Sequence, residues 1–154
     1  MPNCYLLALS RGSALDRYTN NWTLFSLTEM LRVESGQSFQ TKPTPLAPFE
    51  IHAYWYLSPE EFGTEFEWRL MFVTPEGDVP AEEVFPMKSD NKRYRIRIMG
   101  FPILATGQVS LQVEWREKGS QKWNRCSAFW PMDIDYASSS INTPPPDSNS
   151  LPKK

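Results

Sequence analysis

The sequence has few of the side chains that enzymes most often use for chemistry. It contains one histidine, His52, and two cysteines, Cys4 and Cys126, which lie near opposite ends of a chain of 154 residues. A zinc site or a disulfide framework needs a recognisable spacing of several cysteines. We therefore expect neither of these, no metal and no cofactor, and we predict that both cysteines are small buried hydrophobic residues.

The chain also lacks a charge excess and a long apolar run. Its formal net charge is −2 at pH 7, whereas proteins that bind duplexes usually carry a strong basic footprint. No apolar stretch approaches the roughly 20 residues that span a bilayer. The segment MPNCYLLALSRG has no preceding basic residue and no clear cleavage site, which argues against a secretory signal. We expect a cytoplasmic protein that does not associate with a membrane.

What the sequence does contain is hydrophobic alternation with a period of two. That period predicts strands with one buried side and one solvated side, and it is found in FEIHAYWYL, EFEWRLMFV, RYRIRIMGF and QVSLQVEWRE. Further strands are expected at Cys4–Leu9, at Leu24–Val33, near Val84 and at Trp123–Met132. With turn residues at Thr19–Asn21, Pro75–Asp78, Lys88–Asn91 and Glu117–Ser120, these predict an all-β, antiparallel, immunoglobulin-like β-sandwich of about seven to eight strands.

Helix is expected at most as a short turn at Ser58–Gly63, where a serine precedes a proline. Two other segments differ in composition from the predicted strands. Phe39–Phe49 is rich in proline, which removes backbone donors, so it is predicted to cross between the sheets. Residues 137–154 are rich in serine and proline and are predicted to form a disordered tail after a single domain of residues 1–136.

The sequence evidence for catalytic or metal-binding groups is weak. Cys4 with His52 is the one conceivable pair of nucleophile and base, and His52 is instead expected to lie exposed, or at the rim, on the polar face of its strand. Asp133 and Asp135, placed after the last strand, lack the further oxygen ligands of a calcium loop. Three pairs of acids are expected to be solvated surface: Glu60 with Glu61, Glu65 with Glu67, and Glu82 with Glu83. We predict no catalytic site, no metal site and no enzyme.

The stretch KRYRIRI, Lys92 to Ile98, places Arg93, Arg95 and Arg97 on one face of a strand, while Tyr94, Ile96 and Ile98 point to the core. Three interpretations remain open. The row can be a solvated face paired with acids of neighbouring strands, Glu65, Glu67 or Glu114. It can also bind a protein, or the phosphates of a nucleic acid. Tyr94 faces away from the arginines and so cannot stack bases from their face, which weakens the last interpretation.

Aromatic residues are the stronger functional signal. They make up 14% of the chain and include six tryptophans, and Tyr54 and Tyr56 fall on the opposite face from Trp55. Tyrosine and tryptophan are enriched at recognition surfaces, although a central strand covered on both faces would give the same pattern. We predict a non-catalytic protein-interaction module with a protein partner. Its candidate binding residues are Tyr54, Tyr56, Arg93, Arg95 and Arg97; the alternatives are nucleic-acid binding through the arginines, and carbohydrate or small-ligand binding on exposed tryptophans.

The stretch LDRYTNNWTLFSLTEML, Leu15 to Leu31, resembles the opening of a family of small bacterial β-sandwich proteins of unknown function. The match is carried by Asp16, Thr19, Asn20, Thr23, Leu24 and Phe25. The later MGFPILATGQVSLQVEW is similar to the closing hairpin of that family. The resemblance implies a sandwich fold in a bacterial protein and no activity, and an accessory subunit of a larger bacterial assembly fits it. Independently, Asp16 and Thr19–Asn21 have a mechanical role, because such side chains hydrogen-bond nearby backbone amides in turns.

Overall fold

The computed structural model describes residues 1–34, 49–101, 103 and 106–137. Residues 39–48 of the predicted proline-rich crossover lie outside the described residues, and so does the predicted tail beyond residue 137. The last strand, Asn124–Ala137, ends on the first residue of the predicted tail.

The described residues form nine strands in two sheets, with one 3-10 turn at Pro59–Glu61 where the sequence predicts it. The strands are β1 (Asn3–Asp16), β2 (Asn21–Leu27), β3 (Met30–Glu34), β4 (Glu50–Tyr56), β5 (Phe66–Thr74), β6 (Gly77–Met87), β7 (Arg93–Met99), β8 (Gly107–Glu117) and β9 (Asn124–Ala137). The first sheet has the order β2-β1-β4-β7 and the second has the order β3-β9-β8-β5-β6. All pairs are antiparallel except β3 with β9.

The core lies between the two sheets and confirms the predicted β-sandwich. Trp55 of β4 and Trp68 of β5 are fully buried, and their ring centroids are 5.9 Å apart across the interface. Phe85 stacks on Trp68 at 4.7 Å. The predicted inward residues of β4, Ile51, Ala53 and Trp55, are all buried, because strict alternation places every second side chain on the same side of the sheet.

The single strand expected at Leu24–Val33 is wrong. The chain instead forms β2 in the first sheet, leaves it at Thr28 and Glu29, and continues as β3 in the second sheet, parallel to β9. The indole Nε1 of Trp130, on β9, donates to the carbonyl oxygen of Thr28 at 2.7 Å. This contact fastens the crossing point to the last strand.

Two turn assignments have different outcomes. Pro75 and Glu76 form the tip of a tight hairpin, since Thr74 pairs with Gly77. Lys88–Asn91 instead carries the chain from β6 in the second sheet to β7 in the first sheet. Strand β6 is also longer than the short piece expected near Val84, although Pro80 and Pro86 interrupt its donors.

The hairpin between β1 and β2 is built as predicted. Asp16 accepts hydrogen bonds from the backbone amide of Tyr18 at 2.8 Å and from the hydroxyl of Thr19 at 2.6 Å. These bonds, that of Thr19 first, lower the pKa of the Asp16 carboxyl. Asn20 adopts a φ of 55°, in the left-handed region that asparagine tolerates.

Within the described part of the chain, no helix has the length and apolar character needed to cross a membrane.

Candidate functional site

The predicted binding residues meet on the outer side of the first sheet. The register of β4 and β7 sets Tyr56 opposite Arg93, Tyr54 opposite Arg95 and His52 opposite Arg97. Directly opposite side chains in a sheet share a face. We call this surface the arginine face and define it by Trp22, Tyr54, Tyr56, Arg93, Arg95 and Arg97.

Cations lie over aromatic rings along the arginine face. The guanidinium carbon of Arg95 is 5.6 Å from the centroid of Tyr54, and that of Arg97 is 5.5 Å from the centroid of Trp22. Lys92 Nζ is 5.2 Å from the centroid of Tyr56. Tyr94 points away from this face as predicted, yet the neighbouring strands supply other rings. The orientation of Tyr94 therefore does not by itself weigh against base stacking on this face.

The acidic partners predicted for the row are also wrong. Glu65, Glu67 and Glu114 belong to the other side of the molecule, where they pair with other cations: Lys118 at 2.6 Å, Arg116 at 2.6 Å and Arg69 at 2.9 Å. The described residues place one carboxylate within ion-pair distance of the row. It is that of Glu50, whose Oε1 is 3.8 Å from Nη1 of Arg97.

The two sheets differ in charge. The strands of the first sheet contain four arginines and two carboxylates, a surplus of two positive charges. Those of the second sheet contain four arginines and nine carboxylates, a surplus of five negative charges. The net charge of −2 for the whole chain therefore conceals one basic and one acidic side.

A buried polar cluster lies beneath the arginine face. Ser10 Oγ is 3.0 Å from Nε2 of His52, and Ser13 Oγ donates to Oε2 of Glu50 at 2.6 Å. Oε2 of Glu50 is in turn 3.3 Å from Nε2 of His52. His52 is 0% exposed and Glu50 is 6% exposed, so the prediction of an exposed or rim histidine is wrong. Strand β4 is central, and both of its faces are covered.

An irregularity in β1 builds this cluster. Ser10 and Ser13 are three residues apart, which in a regular strand would place them on opposite faces, yet both reach β4 on the same side. Between them lies the stretch of β1 that faces Ser26 of β2, whose φ is 52°. A left-handed backbone conformation is energetically costly for serine. Ser26 therefore marks the place where the pairing of β1 with β2 is locally distorted.

The cluster does not have the geometry of a nucleophilic site. Burial is the main cause that lowers the pKa of His52 below its ordinary 6.5, so the ring is neutral at pH 7. In a triad the acid holds the imidazole nitrogen remote from the nucleophile. Here Ser10 and Glu50 both approach Nε2, the buried Nδ1 has no hydrogen-bond partner among the described residues, and Ser10 is 0% exposed.

The alternative pair of Cys4 with His52 is separated by the sheet. Cys4 belongs to the core between the sheets, whereas His52 lies on the outer side of β4. Burial is the largest cause that raises the pKa of the Cys4 thiol to about 12. A protonated, buried thiol is a poor nucleophile.

The remaining acidic candidates have structural or surface positions. Asp133 and Asp135 lie within β9 rather than after it, and both are exposed. Glu61 accepts hydrogen bonds from the backbone amide and the hydroxyl of Ser58 at 2.7 and 2.8 Å. Within residues 1–34, 49–101, 103 and 106–137, no three His, Cys, Asp or Glu side chains are grouped so that they could hold a metal ion.

A shallow cavity of about 500 Å³ lies at the end of the second sheet, lined in part by Trp115, Trp123 and Cys126. The guanidinium carbons of Arg69 and Arg116 lie 4.2 and 4.4 Å from the ring centroid of Trp123. Trp115 is 5% exposed. Since one indole already holds two cations and the other is buried, neither ring offers the free surface on which a sugar stacks.

Sequence reasoning missed four members of the site: Ser10, Ser13, Trp22 and Glu50. A signal for Glu50 was available, since it lies two residues from His52 on the presumed polar side of an otherwise apolar strand. Two polar residues at alternate positions lie next to each other on one face, and buried polar groups of that kind are usually hydrogen-bonded. Nothing local indicates Ser13 or Trp22, because their contacts with Glu50 and Arg97 depend on how the strands of the first sheet pair.

The chain matches no protein-family model, and it has no significant similarity to a curated protein. The resemblance to small bacterial sandwich proteins thus stays a prediction that rests on the turn and strand patterns of Leu15–Leu31 and the later hairpin.

Proposed function

We propose that the protein is a non-catalytic binding module and that its arginine face holds an acidic segment of a partner protein. One observation carries this proposal. Three of the four arginines in the strands of the second sheet, Arg69, Arg116 and Arg125, lie within ion-pair distance of a carboxylate. Among the described carboxylates, the row of Lys92, Arg93, Arg95 and Arg97 has Glu50 alone within that distance. A row of arginines without acids is available to carboxylates of another molecule, for which the guanidinium fork is well suited.

The rings of the arginine face favour a protein partner. They hold the guanidinium groups in position and so reduce the entropy that these long side chains lose on binding. Tyr54 is 9% exposed and Tyr56 is 39% exposed. The covered ring of Tyr54 offers little open surface for a base, whereas the exposed ring of Tyr56 offers contact area to a partner.

Single-stranded nucleic acid is a second candidate, favoured by the presence of rings and arginines on one face. The two candidates differ in the use of the aromatic rings. A base can stack on a ring only if the arginine that covers the ring moves away. The coverage of Tyr54 and Trp22 by Arg95 and Arg97 therefore ranks a protein segment first. Carbohydrate or small-ligand binding on exposed tryptophans stays a prediction.

We also propose that the sandwich is immunoglobulin-like, and its strand order supports this. The neighbours β1-β4-β7 follow the order A-B-E of such domains, and β9-β8-β5-β6 follow the order G-F-C with an added strand. The buried Trp68 then lies on the strand that corresponds to C. We further propose that the module is an accessory subunit of a bacterial assembly in the cytoplasm, with which its two free, buried cysteines agree.

Fluorescence anisotropy tests the function with three labelled probes at low and moderate salt. The probes are a glutamate-rich peptide, its glutamine-substituted counterpart and an oligothymidine. We expect the glutamate peptide to bind, with affinity that falls as salt rises. Arg93→Gln should weaken binding, and Arg93 is suited to this test because its side chain is exposed.

The matched control is Arg32→Gln, an exposed arginine of β3 in the second sheet, which should leave affinity unchanged. Binding of the oligothymidine in preference to the peptide would transfer the function to nucleic acid. Equal binding of the glutamate and glutamine peptides, or equal loss in both arginine variants, would overturn the proposal.

A further inference from the structure

The free edge of β7 is the most regular of the sheet edges that the structure describes. Its pairing with β4 runs from Arg93 to Met99 without a register shift. The edge of β2 carries Ser26 in a left-handed conformation, that of β6 contains two prolines and a register shift, and β3 is five residues long. Such features block the addition of a strand.

The hydrogen bonds at the two ends of β7 show which of its backbone groups are free. The amide of Leu57 donates to the carbonyl of Lys92, and the amide of Gly100 donates to the carbonyl of Phe49. Bonded and non-bonded pairs alternate along an antiparallel ladder. Even-numbered residues of β7 therefore turn their N–H and C=O toward β4, and Arg93, Arg95 and Arg97 turn theirs outward.

The residues that supply the charge of the arginine face thus also supply the unpaired backbone groups of its edge. Among the described residues, no strand pairs with this side of β7. Residues opposite one another in a new antiparallel pair would lie close enough for direct side-chain contact. A partner strand with carboxylates at alternate positions would set each acid opposite an arginine.

The same row disfavours pairing of β7 with a second copy of itself. In the symmetric antiparallel arrangement, Arg95 would face Arg95, and Arg93 would face Arg97. Like charges directly opposite destabilise a sheet, and a repulsion that acts against one partner gives specificity for another. The edge of β7 therefore favours pairing with an acidic strand and disfavours pairing with the β7 of a second copy.

We propose that an extended acidic segment of a partner protein adds to the edge of β7 as a fifth, antiparallel strand of the first sheet. Its carboxylates alternate along the chain and lie opposite Arg93, Arg95 and Arg97. This inference rests on the proposed function and specifies how the partner binds.

Backbone N-methylation of a peptide tests the inference. The parent peptide is an extended segment of about nine residues with glutamate at three alternate positions. One derivative is methylated on the amides of the three glutamates, which face β7 in the proposed arrangement. Its control is methylated on three amides of the other alternation, at residues next to the glutamates, which face away from β7. Both derivatives have the same composition and charge.

We expect methylation at the glutamates to weaken binding by about tenfold or more, since it removes up to three hydrogen bonds. The control peptide should retain the affinity of the parent. Amide hydrogen exchange should slow at Arg93, Arg95 and Arg97 when the parent binds. Equal affinity of the two derivatives, without that protection, would overturn strand addition and leave the proposed function intact. Failure of the parent peptide to bind would remove both.

Discussion

Oε2 of Glu50 lies 3.3 Å from Nε2 of His52, and burial removes both side chains from solvent. The carboxylate also accepts a hydrogen bond from the hydroxyl of Ser13, and Nη1 of Arg97 lies 3.8 Å from its other oxygen. A buried carboxylate is tolerated only when such partners satisfy it. This cluster therefore joins β1, β4 and β7 directly beneath the arginine face and links the stability of that face to the state of one histidine.

Stability should fall as pH falls below about 6.5, within the range where His52 titrates in the unfolded chain. Burial lowers the pKa of His52 in the folded state. As pH falls, the unfolded state therefore binds a proton at this histidine before the folded state does. The slope from this group cannot exceed about 1.4 kcal/mol per pH unit. Urea unfolding between about pH 7.5 and pH 5.5 measures it.

His52→Gln should remove that slope, because His52 is the only histidine of the chain. The carboxyls of Asp16, Glu61 and Glu65 have lowered pKa values and lose their contributions at more acidic pH, below their ordinary values of 3.8 to 4.5. A slope between pH 7.5 and 5.5 that is unchanged in the glutamine variant would contradict the assignment.

Replacing Ser13 by alanine should lower the free energy of unfolding by about 1 to 3 kcal/mol. The substitution deprives a buried carboxylate of a donor at 2.6 Å, and a hydrogen bond to a charged group is among the stronger ones. Ser127→Ala, an exposed serine on β9, is the control and should stay within about 0.5 kcal/mol of the parent. Similar losses in both variants would mean that the bond to Glu50 contributes little.

Replacing all three arginines of β7 by threonine should promote self-association. Threonine favours strand structure and removes the repulsion that separates two β7 edges. Sedimentation velocity over a range of concentrations should show larger species than the parent chain forms. Arg32→Thr on β3 serves as the control. A triple variant whose sedimentation matched that of the parent would show that charge does not protect this edge.

Two tryptophans should differ strongly in their contributions to stability. Trp68 is 0% exposed and packs against Trp55 and Phe85, so Trp68→Ala should cost about 3 to 5 kcal/mol. Trp123 lies on the outer side of the second sheet over two guanidinium groups, and Trp123→Ala should cost about 1 to 2 kcal/mol. Thermal unfolding of both variants gives the comparison, and equal losses would refute this division between core and surface.

The fold could be predicted where local alternation decides it. The buried sides of β4, β5 and β8 follow from strict period two, and the turn at Asp16 follows from side chains that bond the adjacent backbone. The division of Leu24–Val33 into two strands could not be predicted in this way. It depends on β9, since β3 pairs with that strand and Trp130 bonds the crossing residue Thr28.

The tyrosines and arginines of the candidate site could be predicted, whereas Trp22, the buried cluster and the acidic partner of the row could not. Period two, which is local, sets Tyr54 with Tyr56 on one side of β4, and Arg93 with Arg95 and Arg97 on one side of β7. Their cross-strand partners depend on strand order, and β7 pairs with β4 rather than with β5 or β8. His52 was misplaced for a related reason, since alternation cannot show that a second layer of side chains covers the polar side of a central strand.

The bond between Trp130 and Thr28 joins residues that are 102 positions apart, and β3 reaches the second sheet only through the strand that contains Trp130. During synthesis on a ribosome, Thr28 and β3 emerge long before Trp130 and β9. Their pairing therefore cannot form until nearly the whole domain has emerged. Such distant pairing slows folding and leaves strand edges uncovered in the meantime. A nascent chain stalled before β9 should therefore expose β3 and require protection that the completed protein does not need.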